Sequence, residues 1–496
     1  MSDTGTDNRA DSRSTPLVVD LDGTLIRTDL LHESVFGLLK QNPFNIFLLP
    51  FWLLRGKAYM KQQIAERVDL RVDLLPWNEE FLGYLQEEYD AGRRLVLATA
   101  SNRRYAEGVA GHLGIFADVL ASDAEENMSG SRKLQHIEKM FAGGGFVYAG
   151  NAAVDVPIWQ RAESAVLVSP TATARRKAGA IGNVARIFEN RTRRVLALLK
   201  AMRPHQWLKN VLVFVPLVLS HQLHNPELVL NCVLAFIAFS LCASSVYLLN
   251  DLLDLDADRQ HPRKCRRPFA AGTLPVTTGV AAMGALLLAS LVIGMLLPPL
   301  FLPALVFYYV MTLAYSIWLK RAALVDGLVL AGLYTMRLIA GAAAIAVLPS
   351  FWLLAFSIFI FLSLAFIKRY SELLTVGEVE DAKLAGRGYK PVDMETLAQL
   401  GRASGYLAVL VLALYINGDK VGEMYARPEA LWMLCPMMLY WVSRMWLLTR
   451  RGDMHDDPVV FTMRDVRTWW LAVLAGSALL VSIFWVQVRP FLPIPG

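Results

Sequence analysis

The chain has 496 residues, 55% of them hydrophobic and 10% aromatic, with 49 Lys and Arg against 43 Asp and Glu for a net charge of +6. That length suggests two or three domains, and so apolar a composition excludes a wholly soluble enzyme and leaves no expectation of a nucleic-acid partner. The four cysteines, Cys232, Cys242, Cys265 and Cys435, fall in or beside apolar runs without paired spacing, which excludes a disulfide framework and a zinc site.

Residues 1–15 are polar with no apolar core, so they read as a disordered N-terminus and not as a secretory signal. From Pro16 to Arg186 the pattern is that of a soluble α/β unit. Leu17-Val18-Val19 is a short buried strand running into Asp20-Leu21-Asp22-Gly23-Thr24, a D-x-D-G-T turn at a strand end, where open α/β sheets place their sites. One such carboxylate can attack and the second can shuttle protons. A second strand, Leu95 to Ala98, ends at Thr99 with Ser101 and Asn102 nearby, and further on come Lys133 in Gly130-Ser131-Arg132-Lys133 and the run Gly150-Asn151-Ala152-Ala153-Val154-Asp155.

These segments resemble the haloacid-dehalogenase phosphatases, which implies a Rossmann-like α/β domain over 16–186 with a helical cap at about 27–90. The resemblance gives Asp20 the role of phosphoryl acceptor and Asp22 that of acid toward the leaving alcohol. It also implies that Thr99 and Lys133 hold the phosphoryl group, and that Asp20, Asp22 through its carbonyl, and Asp155 bind magnesium. The family's fourth motif is G-D-x-x-x-D; here Asn151 stands in place of its first acid and can offer only a neutral oxygen. Within the cap, Phe44 to Leu54 is too short to span a bilayer but apolar enough to enter an interface, so the run either touches lipid, which its aromatic content favours, or is a cap helix buried on its own domain.

Residues 187–209 carry Arg191, Arg193, Arg194, Lys200, Arg203 and Lys209, and read as a basic connector helix lying on the anionic inner leaflet. From 210 to 496 the chain reads as an all-α polytopic membrane domain. About nine spans are predicted, at 210–224, 228–249, 277–297, 299–318, 323–347, 351–367, 402–417, 430–448 and 470–488. Lys and Arg crowd the loops after spans two, four, six and eight, which places those loops and the N-terminal domain on the cytoplasmic face of the inner membrane.

At the end of the second span stands Asn250-Asp251-Leu252-Leu253-Asp254-Leu255-Asp256-Ala257-Asp258. On a helix Asn250, Asp251, Asp254 and Asp258 share one stripe while Asp256 points elsewhere. Such a stripe suits magnesium, and the following His261-Pro262-Arg263-Lys264-Cys265-Arg266-Arg267-Pro268 supplies the cations a diphosphate needs. The segment resembles the UbiA superfamily of intramembrane prenyltransferases, whose first aspartate motif is N-D-x-x-D-x-x-x-D, and the resemblance runs from about Arg203 to Val488.

UbiA relatives that prenylate aromatic rings carry a second D-x-x-x-D after span six. Here that loop is Lys368-Arg369-Tyr370-Ser371-Glu372, then Gly386-Arg387-Gly388-Tyr389-Lys390. With Arg203-Pro204-His205-Gln206-Trp207-Leu208-Lys209-Asn210 and Asp457-Pro458-Val459-Val460-Phe461, it looks like the branch that moves phosphoribose from phosphoribosyl diphosphate to polyprenyl phosphate. This resemblance implies magnesium on Asp251, Asp254 and Asp258, with Asn250 beside them. It gives Lys264, Arg267, Lys320 and Lys368 or Arg369 to the donor phosphates, and Lys209 to the acceptor phosphate. The phosphatase domain would then remove the 5-phosphate of the product. Three alternatives stand beside this: a prenyltransferase using an isoprenoid diphosphate with an aromatic or lipid acceptor, an active transferase with a silent regulatory N-terminal domain, and a transporter or scaffold.

Overall fold

The computed structural model describes residues 15–189, 193–376, 387–418, 421–422, 425–454 and 457–483. The N-terminal tail, Arg191 of the connector, part of the loop after Val376 and the end of the last predicted span lie outside them. The chain divides into two compact units, Met1–Arg203 with Tyr247–Gly284, and Pro204–Val246 with Ala285–Gly496.

The first unit is built on six parallel strands, β1 Leu17–Val19, β2 Leu95–Asn102, β3 Asp118–Ser122, β4 Val147–Gly150, β5 Ser164–Val168 and β6 Val184–Phe188, in the order β3-β2-β1-β4-β5-β6. A strand buried on both faces needs apolar residues at every position, and β1 is wholly buried. Its alternate residues divide between two cores. Leu17 and Val19 join Leu97, Phe81 and Leu85 on one face, and Val18 joins Val96, Tyr148 and Trp159 on the other. Strand order reverses at β1, between β2 and β4, so the crevice of an open sheet lies beyond the ends of these three strands.

The cap comprises helices Leu30–Gln41, Leu48–Leu54 and Lys57–Ala65 and a 3-10 turn Pro43–Phe47, closed over a small core of Leu38, Trp52, Ile64 and Val68. The helix Glu79–Asp90, inside the predicted cap boundary, returns Phe81 and Leu85 to the sheet core instead. Trp52 alone of its apolar neighbours is buried; Phe44, Phe47, Phe51 and Leu54 are 63, 67, 67 and 85% exposed. The connector helix is only Arg194–Met202, ended by Arg203 in a left-handed conformation at φ 54°, so it does not continue to residue 209 as expected.

In the second unit the predicted first span is a 3-10 segment, Pro204–Phe214, followed by a short helix, Val215–Leu219. Pro204 and Pro216 cannot donate to a helical ladder, and the segment packs so closely on the helix Val325–Ala344 that a Cβ on Gly341 would lie 2.1 Å from the Val213 carbonyl oxygen. Seven described helices are long and apolar enough to cross a membrane: Pro226–Leu253, Val276–Met295, Val325–Ala344, Phe351–Thr375, Pro391–Ile416, Pro428–Arg450 and Val466–Ile483. Phe301–Ile317 is apolar but shorter. Small residues let the later helices approach, Gly401 lying under Trp446 and Gly405 under Val442.

Candidate active sites

The turn after β1 needs glycine at its fourth position. Gly23 has φ 75°, and a Cβ there would lie 2.1 Å from the Asn151 amide nitrogen. Asp20 and Asp22 thereby reach a cavity of about 170 Å³ whose lining also includes Ser101 of β2, Lys133 of the helix Ser131–Met140, Asn151 and Asp155 after β4, and Leu31 and Lys61 from the cap. Lys133 donates to Asp20 at 2.7 Å and to the Tyr148 hydroxyl at 3.0 Å, and Tyr148 donates to Asp155 at 3.0 Å. Asp155 also accepts the backbone N–H groups of Asn151 and Ala152. Asp22 accepts from Ser101 at 2.6 Å, from Thr99 at 3.4 Å and from the Leu30 N–H at 2.9 Å.

Burial raises both turn carboxyls. Asp20 is pushed up to about 6, with Lys133 pulling against burial and Asp155 adding to it. Asp22 is pushed up to about 7 by burial and then by the charge of Asp29, so it holds a proton near neutrality as an acid toward a leaving group must. Burial alone would lower Lys133, but Asp20 and Asp155 outweigh it and keep its ammonium charged.

The aspartate stripe lies at a kink. Helix Pro226–Leu253 ends one residue before Asp254 and Leu255–Gln260 restarts after it, yet the Asp254 N–H still bonds Asn250 and the Asp258 N–H bonds Asp254. Asp251 is buried and pairs with Arg203, which stacks on Tyr247, and with Arg267 at 3.2 Å. Arg267 also holds Asp258 at 2.7 Å, so one guanidinium joins two of the predicted ligands. Asp254 meets Lys40 at 3.5 Å. Asn250 is half-buried, and Lys264 is exposed on a 3-10 turn, Lys264–Arg266.

In the second unit, Lys209 and Lys368 come together on one carboxylate, Asp457, at 2.7 and 2.9 Å. Burial opposes ionisation of Asp457, yet the two lysines outweigh it and hold the carboxyl well below the usual range. Lys320 lies in the 3-10 turn Leu319–Arg321. Arg369 is fully buried, bonded to Asp326, Glu372 and the Tyr315 hydroxyl, with Arg387 on the same two acids. A donor phosphate could reach Arg369 only by displacing an acid. Arg369, one of the two residues the resemblance offers to a donor phosphate, thus stands in an internal ion pair within the helix Phe351–Val376.

Residues 211–472 match the UbiA prenyltransferase family, more than half of the chain. The chain belongs to the UbiA prenyltransferase family. Ahead of the UbiA domain, residues 17–164 match the haloacid dehalogenase-like hydrolases, and the seven apolar helices make the UbiA domain a multi-pass membrane domain. An uncharacterized protein of Sinorhizobium fredii is 35% identical over 474 residues, covering 95% of this chain and 92% of that protein. The nodulation protein NoeC of Azorhizobium caulinodans is 35% identical over 280 residues, covering 56% of this chain and 90% of its own length. The decaprenyl-phosphate phosphoribosyltransferase of Mycobacterium tuberculosis is 39% identical over 183 residues, 36% of this chain and 61% of that relative, so the chain spans less than two thirds of it.

Among the described residues no three His, Cys, Asp or Glu side chains form a ready cluster for a metal. Magnesium needs only one or two carboxylates if substrate oxygens and waters complete its shell, and both sites fit that demand. In the UbiA domain Asp251 has a buried carboxylate oxygen without a hydrogen-bond partner, and in the hydrolase domain Asp155 and Asp20 line one cavity and repel each other. Two UbiA-domain residues escaped sequence reasoning. Arg337 is buried in the span Val325–Ala344, bonded to Asn210, Tyr308 and the Leu333 carbonyl, and Asp326 neutralises Arg369 and Arg387. They are the two charged groups of one predicted span, 323–347, and that rarity is the signal that could have found them.

Proposed function

We propose that this UbiA-family enzyme transfers phosphoribose from phosphoribosyl diphosphate to a polyprenyl phosphate and that its hydrolase domain then removes the 5-phosphate of the product. What carries the reading is the phosphatase cavity: Asp20, Asp22, Lys133 and Asp155 stand in one pocket on the same chain as the aspartate motif. The likeness to decaprenyl-phosphate phosphoribosyltransferases supports the donor, as does the lack of a second D-x-x-x-D in the Lys368–Glu372 loop.

In the transfer step an oxygen of the lipid phosphate attacks C1 of the ribose, and the bond from C1 to the diphosphate oxygen breaks. Arg203 and Arg267, now turned onto Asp251, are the cations available to the departing diphosphate, with Lys264, Lys320 and Lys368 as further candidates and Lys209 for the acceptor phosphate. A phosphate acceptor is already anionic and needs little help from a base. Asp251, Asp254 and Asp258 would hold magnesium there, and Asp20, the Asp22 carbonyl and Asp155 in the phosphatase pocket; the ion neutralises phosphate charge at either place. In the hydrolytic step the Asp20 carboxylate attacks phosphorus, the ester P–O bond breaks, and the leaving alkoxide takes the Asp22 proton; water then cleaves the acyl phosphate. Lys133 holds Asp20 ionised and oriented.

Fusion keeps the phosphatase at an effective concentration on the order of millimolar near its substrate. The donor is tested by offering the purified protein and polyprenyl phosphate either phosphoribosyl diphosphate or an isoprenoid diphosphate and weighing the lipid product. A pentose-bearing lipid is expected; a lipid extended by an isoprenoid would overturn the proposed donor.

A further inference from the structure

One cap helix, Leu30–Gln41, touches both chemistries of the first unit. At its start the Leu30 N–H bonds the carboxylate of Asp22 at 2.9 Å. One turn on, Glu33 receives both terminal nitrogens of Arg259 at 2.9 and 2.5 Å, with the two side chains only 3 and 5% exposed. Two turns further along the same face, Lys40 meets Asp254 at 3.5 Å.

Arg259 directly follows Asp258 in the chain, and its Nε also donates to the Ala270 carbonyl at 3.2 Å, so it ties together the start and end of the basic loop. At that end Gly272, with φ 65°, lies so close to the hydrolase domain that a Cβ would stand 2.6 Å from the Arg27 Cβ and 3.1 Å from that of Pro76. A buried guanidinium–carboxylate pair returns its desolvation cost only in good bidentate geometry, and removing one partner leaves an uncompensated charge. The segment from Asp254 to Gly272 is thus held by the cap at Asp254 and Arg259 and by the body of the hydrolase domain at Gly272.

We infer that Glu33 and Lys40 of the phosphatase cap are positioning residues for the transferase's aspartate motif. They act through Arg259 and Asp254 and set the geometry in which Asp251, Asp254 and Asp258 receive a divalent cation. This rests on the reading of those three as the transferase's metal ligands. Partners that orient metal ligands are commonly worth about tenfold or more in metal affinity when removed.

The test uses full-length protein in lipid nanodiscs and reads Mn²⁺ binding by electron paramagnetic resonance; the bound population lost in Asp254→Asn is the transferase's share. Glu33→Gln is expected to weaken that population about tenfold, Glu33→Asp to restore part of the loss, and Lys40→Met to weaken it less in the same direction. Glu66→Gln, an exposed cap substitution away from both contacts, is expected to change nothing. Lys40 is half-exposed, so Lys40→Met keeps the question answerable if Glu33→Gln fails to fold. In lipid-product assays the same variants should raise the Mg²⁺ concentration for half-maximal transfer, more than they lower the maximal rate. Unchanged Mn²⁺ affinity in both Glu33→Gln and Lys40→Met would overturn the inference. Absence of any lipid product from wild type would sink the functional reading instead, leaving the metal-binding result to stand by itself.

Discussion

Asp22 is the residue whose chemistry is most exposed to pH. Burial, and behind it the charge of Asp29, raises its carboxyl to about 7, so the proton that the proposed hydrolysis delivers to the leaving alcohol is present below that pH and is lost as pH rises through it. Hydrolysis of a soluble phosphomonoester by the full-length protein should therefore fall on the alkaline side of about pH 7, in a kcat/KM profile measured at saturating Mg²⁺. A rate flat to pH 9 would remove Asp22 as the acid. Asn151 sets a second test at the same scale. It sits over Gly23 where the related hydrolases carry an acid, and Asn151→Asp should lower the Mg²⁺ concentration for half-maximal hydrolysis on the order of tenfold, since affinity for hard cations follows carboxylate count. The D-x-D-G-T turn was legible in the sequence because a short motif encodes a local geometry. The partnership of Lys133 with Tyr148 and Asp155 was not, because three distant segments meet only when the sheet forms.

Among the elements, the cap segment Phe44 to Leu54 and the broken segment Pro204–Phe214 each carry a consequence. Phe47 and Phe51 are both 67% exposed on the cap, which also lends Leu31 and Lys61 to the lining of the Asp20 cavity. If these rings enter lipid, Phe47→Asp with Phe51→Asp should leave hydrolysis of a soluble phosphomonoester unchanged and cut hydrolysis of a lipid-linked one more than tenfold, because burying each ring is worth about 1.5–3 kcal/mol. Equal effects on both substrates would place the rings in protein packing. In the second unit, Gly341→Ala must push Val213 and its backbone away, and should lower thermal stability in detergent by about 1–3 kcal/mol. The long apolar helices could be read from composition since a bilayer demands length and hydropathy together. The 3-10 segment could not, because Pro204 and Pro216 are also tolerated at helix starts and the closeness of Gly341, which adds to their effect, shows itself only in the folded unit.

At the scale of the whole molecule, the chain joins a hydrolase-type domain to a UbiA domain, and the Sinorhizobium fredii relative shares nearly its full length. Order along the chain revealed both domains, since each motif set is contiguous enough to be recognised separately. Their division was not legible: Tyr247–Gly284, which carries the aspartate motif, falls into one compact unit with the N-terminal domain, because Arg259 and Gly272 find their partners at Glu33 and Arg27. Two successive reactions on one chain are distinguished from one by mass spectrometry of the lipids formed from polyprenyl phosphate, phosphoribosyl diphosphate and Mg²⁺ by wild type, Asp20→Asn and Asp254→Asn. A ribosyl lipid from wild type, its 5-phosphorylated precursor from Asp20→Asn and no product from Asp254→Asn are predicted; the phosphorylated lipid accumulating equally in wild type and Asp20→Asn would contradict the account.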